Sequence, residues 1–258
     1  MLFSSSLFLF LFLPLVLLVY YLPLRRRRQG QNVFLLAASL LFYAWGEPVY
    51  LLLLLFSVGL NYLYGRVIEL LRGTPQAGLA LAVILFIDLG LLGVFKYSGL
   101  AVETVNSLLG LSIPVPGLSL PIGISFYTFQ TMSYPIDVYR GDTEEQKNFI
   151  RFGTFVALFP QLIAGPIVRY KDVASQLGTR RLSSEQFSSG VQRFAIGLGK
   201  KVLLANNIGA LWDIYAAAPE LSFAGAWLGA LAFSLQLYFD FSGYSDMAIG
   251  LGRMLGFE

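Results

Sequence analysis

Residues 121–170 read PIGISFYTFQTMSYPIDVYRGDTEEQKNFIRFGTFVALFPQLIAGPIVRY. Within or beside the apolar runs of this stretch stand Gln130, Tyr134, Pro135, Asp137, Pro160, Gln161 and Pro166. Polar groups and helix breakers persist at membrane depth only where protein or a water-filled cavity satisfies them. Their clustering predicts a buried pathway or pocket inside an integral membrane protein, and not a simple anchor.

The rest of the chain supports that reading. Its 258 residues are 56% hydrophobic and 13% charged, with a mean hydropathy of +0.68. One soluble core of this size cannot hide so much apolar surface, so the lipid bilayer is the expected solvent and partner. The net charge of +3 is carried in the gaps between apolar runs and not along one stripe, which gives no case for nucleic acid. With no cysteine and no histidine, disulfides, thiolate nucleophiles and thiolate metal sites are excluded, and the most versatile general base is missing. No metal site is expected.

Leu7–Leu24 reads as a first span, followed at once by Arg25, Arg26, Arg27 and Arg28. The arginines prefer the cytoplasm, which puts the N-terminus outside. A cleaved signal peptide is disfavoured, because no basic residue precedes the run and no small-residue cleavage site is evident. Val33–Trp45, Val49–Tyr64, Leu79–Phe95 and Pro121–Tyr139 then alternate as spans. Glu47 and Pro48 make an outer turn, Arg66 and Arg72 lie inside, Lys96–Leu120 forms an outer Gly- and Pro-containing segment, and Arg140–Arg151 is cytoplasmic. Phe152–Gly165 has only about 14 residues against the roughly 20 that a bilayer needs. Pro160, Gly165 and Pro166 break it, and it reads as re-entrant. A true span there would carry Arg169, Lys171, Arg180, Arg181, Arg193, Lys200 and Lys201 outside, against the positive-inside bias.

From Ser183 the pattern is an amphipathic helix, with Ser183 and Gln186 in capping-box spacing and Phe187, Val191, Phe194, Ala195, Leu198 and Val202 on one face. It continues as a polar span, Val202–Ala218. Pro219 and Glu220 turn the chain, Phe223–Phe239 returns, and Phe241–Phe257 begins another membrane helix. Without repeat or linker, residues 1–258 form a single membrane domain. The abrupt end at Glu258 predicts the N-terminal portion of a longer chain.

Gly197-Leu198-Gly199-Lys200-Lys201 has the wrong spacing for a phosphate loop and no following Ser or Thr. It reads as small residues in a packed helix with cations at the lipid headgroups. Gly225 with Gly229, and Gly252 with Gly256, have the small-xxx-small spacing of close helix contacts. Arg140-Gly141-Asp142 is a chance tripeptide. Asp88, midway in an apolar run, is either functional or the polar partner of another helix. Tyr238-Phe239-Asp240-Phe241-Ser242-Gly243-Tyr244-Ser245-Asp246 gathers two carboxylates and hydroxyls close to a span, with Ser242 and Asp246 one helical turn apart. Spacing leaves two readings open, a functional site or a hydrogen-bonded lock between helices.

Three segments carry a family resemblance: PIGISFYTFQ at 121–130, FPQLIAGPI at 159–167 and YFDFSGYSD at 238–246. They resemble the signature segments of the membrane-bound O-acyltransferases. LFYAWG at 41–46 with Asn61-Tyr62 resembles the bacterial branch typified by the alginate O-acetyltransferase membrane subunit. The resemblance implies an all-α polytopic bundle in the bacterial inner membrane, with a transmembrane tunnel. In it an acyl group from a cytoplasmic thioester donor, such as acetyl-CoA, meets an acceptor from outside. It implies no tightly bound cofactor, an exported polysaccharide such as alginate as acceptor, and an extracytoplasmic acetyltransferase as partner.

The family's catalytic histidine follows the YFDFSGYSD segment, so none of the present residues takes that role, and the 258-residue chain alone is expected to be inactive. Acyl transfer needs a base for the hydroxyl proton and donors for the oxyanion. Asp240 or Asp246 is the alternative base if burial raises its pKa; otherwise Asp240, Ser242, Tyr244 and Asp246 support the site. Gln130, Tyr134 and Gln161, each a polar group beside a backbone break, are the tunnel-lining candidates. Broken helices and intramembrane acids also describe a transporter or channel, the reading from a different class.

Overall fold

A computed structural model describes residues 2–24, 27–163 and 165–257; Arg25, Arg26, Ala164 and Glu258, singled out above, lie outside them. The described residues are helical, without strands. A π-helical turn at Phe8–Phe12 leads into α1 (Leu13–Tyr21), followed by α2 (Arg28–Ala44), α3 (Leu51–Leu70), α4 (Pro75–Leu109) and α5 (Ile124–Arg140). Short helices α6 (Phe149–Ala157), α7 (Phe159–Leu162), α8 (Tyr170–Val173) and α9 (Gln176–Thr179) come next. Then α10 (Ser184–Gly199) runs through a π-helical stretch, Lys200–Ala205, into α11 (Asn206–Ala216), and α12 (Phe223–Met254) closes the chain. These elements form two compact units: residues 27–163 with 167–178, here the central unit, and residues 1–26, 164–166 and 179–258, the terminal unit.

In the central unit α3 and α4 are long and apolar enough to cross a membrane, with mean hydropathies of 1.7 and 2.5. The 35 residues of α4 rise roughly 50 Å, well beyond a hydrocarbon core of about 30 Å. Much of the expected outer segment Lys96–Leu120 is therefore helix: Lys96–Leu109 continues α4, where Pro is absent and Gly occurs once, at Gly99. The helix ends where Gly110 turns left-handed at φ 65°, and the Asn106 side chain exchanges hydrogen bonds with the Ile113 backbone. The start of α2 also precedes the expected Val33. Buried Gln31 and Asn32 are tolerated at that end because Gln31 accepts from Arg28 and Asn32 donates to Leu177 O. Asp88 is buried and accepts from Asn61 Nδ2 at 3.1 Å, so its partner is a neighbouring helix.

In the terminal unit several expectations change. Phe223–Phe239 and Phe241–Phe257 are not separate segments, since α12 runs 32 residues through Asp240. The chain has no Pro there, and Asp240 is held by Lys201 instead of breaking the helix. Ser183 caps α10 by accepting from Gln186 N at 3.0 Å, but the Gln186 side chain donates to Phe257 O, which leaves the capping box half made.

The buried face of α10 is also different. Gly190, Phe194 and Gly197 are buried, whereas Val191, Ala195 and Val202 are exposed. The stripe follows glycine because α12 crosses too close for side chains. A Cβ on Gly197 would lie 2.6 Å from Gly243 O, and one on Gly190 would lie 2.6 Å from Gly250 O. The reciprocal positions, Gly243 and Gly250, face Gly197 O and Gly190 O at 2.8 and 2.7 Å. Of the spacings picked from the sequence, Gly229 does meet α11, at Tyr215 Cβ. Gly252 meets only Phe257, and Gly256 is a left-handed turn at φ 86°, so that pair makes no helix contact.

Replacing Gly197 by Ala should lower the thermal unfolding midpoint of the purified protein, by about 1–3 kcal/mol of overpacking. Gly199→Ala, whose Cβ meets nothing within 4 Å, should be neutral or mildly stabilising. Equal tolerance of both changes would sink the close-crossing account.

Candidate functional site

In each unit several of the polar residues singled out in the sequence gather. In the central unit the cluster is built around a helix break. Leu158, at φ −54° and ψ 115°, ends α6, and Phe159 N turns to Ser39 Oγ at 3.0 Å. A continuous helix would have sent that N–H to Phe155 O. The released carbonyl instead accepts from Gln130 Nε2 at 2.9 Å and from Gln161 Nε2. Thus α5 and α7 deliver two glutamine amides to one acceptor, and the sequence-picked Gln130 and Gln161 come together. Gly123, at φ 76° before α5, permits this approach, since a Cβ there would lie 2.5 Å from Leu162 O.

Tyr134 sits apart from the two glutamines. Its buried ring packs against Phe152 and Tyr170, with centroids 4.6 and 4.8 Å away. Its hydroxyl accepts from Gln146 N at 2.9 Å, and Gln146 Nε2 donates to Tyr170 OH at 2.7 Å. Burial pushes the Tyr170 hydroxyl above its ordinary pKa, with the Gln146 hydrogen bond opposing. The neighbouring Arg140-Gly141-Asp142 has a structural use: Gly141 ends α5 at φ 77°, and Asp142 pairs with Lys171 at 3.0 Å. The Lys171 hydrogen bond and charge hold that carboxyl below its ordinary pKa.

The terminal unit brings the second cluster to the α10–α12 seam. Asp246 Oδ1 accepts from Arg193 Nε at 3.0 Å and Oδ2 from Lys200 Nζ at 2.6 Å. Lys200 Nζ also donates to Ser242 Oγ at 2.9 Å, so Ser242 and Asp246 share one cation from the facing helix. Asp240 is separate, paired with Lys201 at 2.7 Å. Tyr244 leaves the group, its ring stacked on Phe3 at 4.7 Å. Sequence reasoning found the acids but missed Arg193, Lys200 and Lys201 as their partners, having read the lysines as headgroup contacts. The missed signal was the pair of seven-residue glycine spacings, Gly190 to Gly197 and Gly243 to Gly250, which sets the two helices in register.

The chemistry follows from these contacts. A carboxylate whose two oxygens already hold cations is a poor acceptor for a substrate proton, so Asp246 is suited to fixing charge and not to acting as a base. Because one carbonyl has two donors, Gln130→Ala or Gln161→Ala alone should cost little. The double variant leaves Phe155 O orphaned and should lose roughly 1–3 kcal/mol beyond the sum of the singles. Thermal unfolding of the four proteins in the cycle measures the coupling; additivity would show that the shared carbonyl is unimportant.

Residues 143–258 match MBOAT, the membrane-bound O-acyltransferase family. The whole chain is 47% identical to the probable alginate O-acetylase AlgI of Pseudomonas aeruginosa, covering 50% of that protein. It is 34% identical to the peptidoglycan O-acetyltransferase of Helicobacter pylori over 98% of this chain and 54% of that one. A teichoic acid D-alanyltransferase of Bacillus subtilis is 26% identical over 53% of the chain and 36% of its own length. The chain spans about half the length of the curated relatives it matches most fully.

Proposed function

The chain belongs to the membrane-bound O-acyltransferase family, and we propose from that premise that the intact protein O-acetylates an exported polysaccharide such as alginate. The observation that carries this reading is the 47% identity, over the full chain, to a probable alginate O-acetylase. In the proposed reaction a hydroxyl of the acceptor attacks the carbonyl of a cytoplasmic acyl thioester, acetyl-CoA or a carrier-bound equivalent. A C–O bond forms, the C–S bond breaks, and the thiol leaves with the proton. The base is the histidine that the family resemblance implies. These 258 residues contain no histidine, so their share of the work is to bind, orient and exclude water.

Gln130, Tyr134 and Gln161 are proposed to border the route through the membrane, and Phe152–Gly165 to enter and leave from the cytoplasmic side. Support comes from the break at Leu158, which leaves α6 and α7 with nine and four residues, each shorter than a bilayer span of about 20. Asp246 with Arg193, Lys200 and Ser242 supplies fixed charge, and Asp240 and Tyr244 brace the same helix. The protein is proposed to be a multi-pass protein of the bacterial inner membrane with its N-terminus outside. A separate extracytoplasmic acetyltransferase is its proposed partner.

Orientation has a direct check: labels at Glu144 and at Arg181, the exposed neighbour of Arg180, should be reached from the cytoplasm, and labels at Glu47 and Glu103 from outside. An external Arg181 would make Phe152–Gly165 a true span and remove the re-entrant element. For activity, the intact protein is reconstituted in vesicles with acetyl-labelled acetyl-CoA on the Glu144 side and alginate oligomers on the other. Label should appear as ester on the oligomers, and the 258-residue chain alone should produce none. Passage of acetate or acetyl-CoA across the vesicle without ester formation would favour a transporter instead.

A further inference from the structure

The α10–α12 seam carries more positive than negative charge. Asp246 is shared by Arg193 and Lys200, Asp240 balances Lys201, and Arg253, which has no ion pair among the described residues, donates to the neutral Ser189 hydroxyl at 2.8 Å. Arg193 donates to Asp246 through Nε alone; its two terminal nitrogens make no hydrogen bond among the described residues. Around Asp246 the cations are the more exposed partners: the Arg193 and Lys200 side chains are 36% and 30% accessible, against 17% for Asp246, whereas in the neighbouring pair Asp240 is more exposed than Lys201. Around them the helices expose apolar residues, Ile196 on α10, Leu203 beyond it and Leu237 on α12. A surplus cation beside apolar surface lacks the solvation that would stabilise it, and it gains most from a counter-anion.

The arrangement also specifies the anion. One carboxylate holds a guanidinium and an ammonium, and the two terminal nitrogens of the guanidinium have no acceptor among the described residues. A planar fork next to a point charge matches the several oxygens of a phosphate better than a single carbonyl or a halide. Arg193 on α10 and Lys200 at the start of the π-helical stretch that follows lie seven residues apart, and the Gly190–Gly250 and Gly197–Gly243 contacts keep that helix against the carboxylate that orients them. We propose that Arg193 and Lys200 form a phosphate-binding site, with Asp246 as the residue that positions both cations. The phosphate comes either from a soluble phosphate-bearing thioester donor or from an anionic lipid headgroup. The site rests on the charge and geometry of the seam, and the acyl-transfer reading enters only in the choice of one probe.

The test reads binding and not turnover, so it stands or falls separately from the proposed reaction. In one arm the intact protein is placed in nanodiscs of phosphatidylcholine alone and coenzyme A is titrated in. In the other, the discs contain phosphatidylglycerol, and the lipid retained after detergent washing is counted. In whichever arm binding occurs, Arg193→Gln and Lys200→Gln should each weaken it about tenfold, and Lys200→Arg should preserve it. Asp246→Asn should also weaken binding, because it removes the charge that holds both cations in place, and Asp246→Glu should restore part of it. A response to coenzyme A identifies a soluble donor and a response in retained lipid identifies a headgroup; either supports the site. Wild-type binding by both glutamine variants in both arms overturns it. So does an Asp246→Asn protein, folded by circular dichroism, that binds at wild-type strength or better.

Discussion

The terminal unit depends on a contact between two backbones. Where α10 and α12 cross, the carbonyl oxygens of Gly197 and Gly243 each face the missing Cβ of the other glycine, and Gly190 with Gly250 repeats the arrangement two turns away. Any side chain at these positions would push the helices apart. With the backbones this near, side chains from one helix reach across to the other, which is how Arg193, Lys200 and Lys201 arrive at Asp246 and Asp240. Lys200 and Lys201 are consecutive and would diverge on a regular α-helix. The π-helical stretch that begins at Lys200 widens the turn there, and both lysines face α12. Wide turns of this kind frequently mark functional positions in helices.

The central unit solves the opposite problem, a backbone that has come undone. The break at Leu158 removes the natural partner of Phe155 O, and an unsatisfied carbonyl in an apolar setting costs several kcal/mol. Gln130 and Gln161 meet it from α5 and α7, and Ser39 from α2 takes the Phe159 N–H that the break also freed. Two of the polar residues that looked out of place in residues 121–170, Gln130 and Gln161, are thus residues that make a broken helix stable there. A pathway beside such a break needs the same groups, so the packing role and the proposed lining role draw on one set of side chains.

What the sequence revealed, and what it hid, follows from the range of the interactions. Hydropathy and breakers placed the helices α3, α4 and α5 and the interruption near Pro160, because these depend on neighbours along the chain. They missed the extension of α4 through Leu109 and the continuity of α12 through Asp240. In the second case a carboxylate in an apolar run reads as an end unless its cation, distant in sequence, is known. The buried face of α10 was misplaced for a related reason. A hydrophobic-face rule assumes that apolar side chains mark the contact, whereas here the contact is marked by their absence, and Val191 and Val202 are left exposed. The acids at 240 and 246 were legible as candidates because charge near a span is rare; their partners were not, because lysine and arginine near a membrane boundary already have a sufficient explanation in the lipid headgroups.

That difference bears on the chemistry available to this chain. Had Asp246 been buried without a cation, desolvation would have favoured its protonated form and made it a plausible acid or base. With Arg193 on one oxygen and Lys200 on the other, the ionised form is the one that the seam is built around. Its two lone-pair directions toward α10 are occupied, and taking up a substrate proton would strand two cations against an apolar surface. The carboxylate therefore fixes the positions of charges that act on something else. The excess of cation over anion along the seam indicates that this something is negatively charged, and the outward exposure of Arg193 and Lys200 indicates the side from which it approaches.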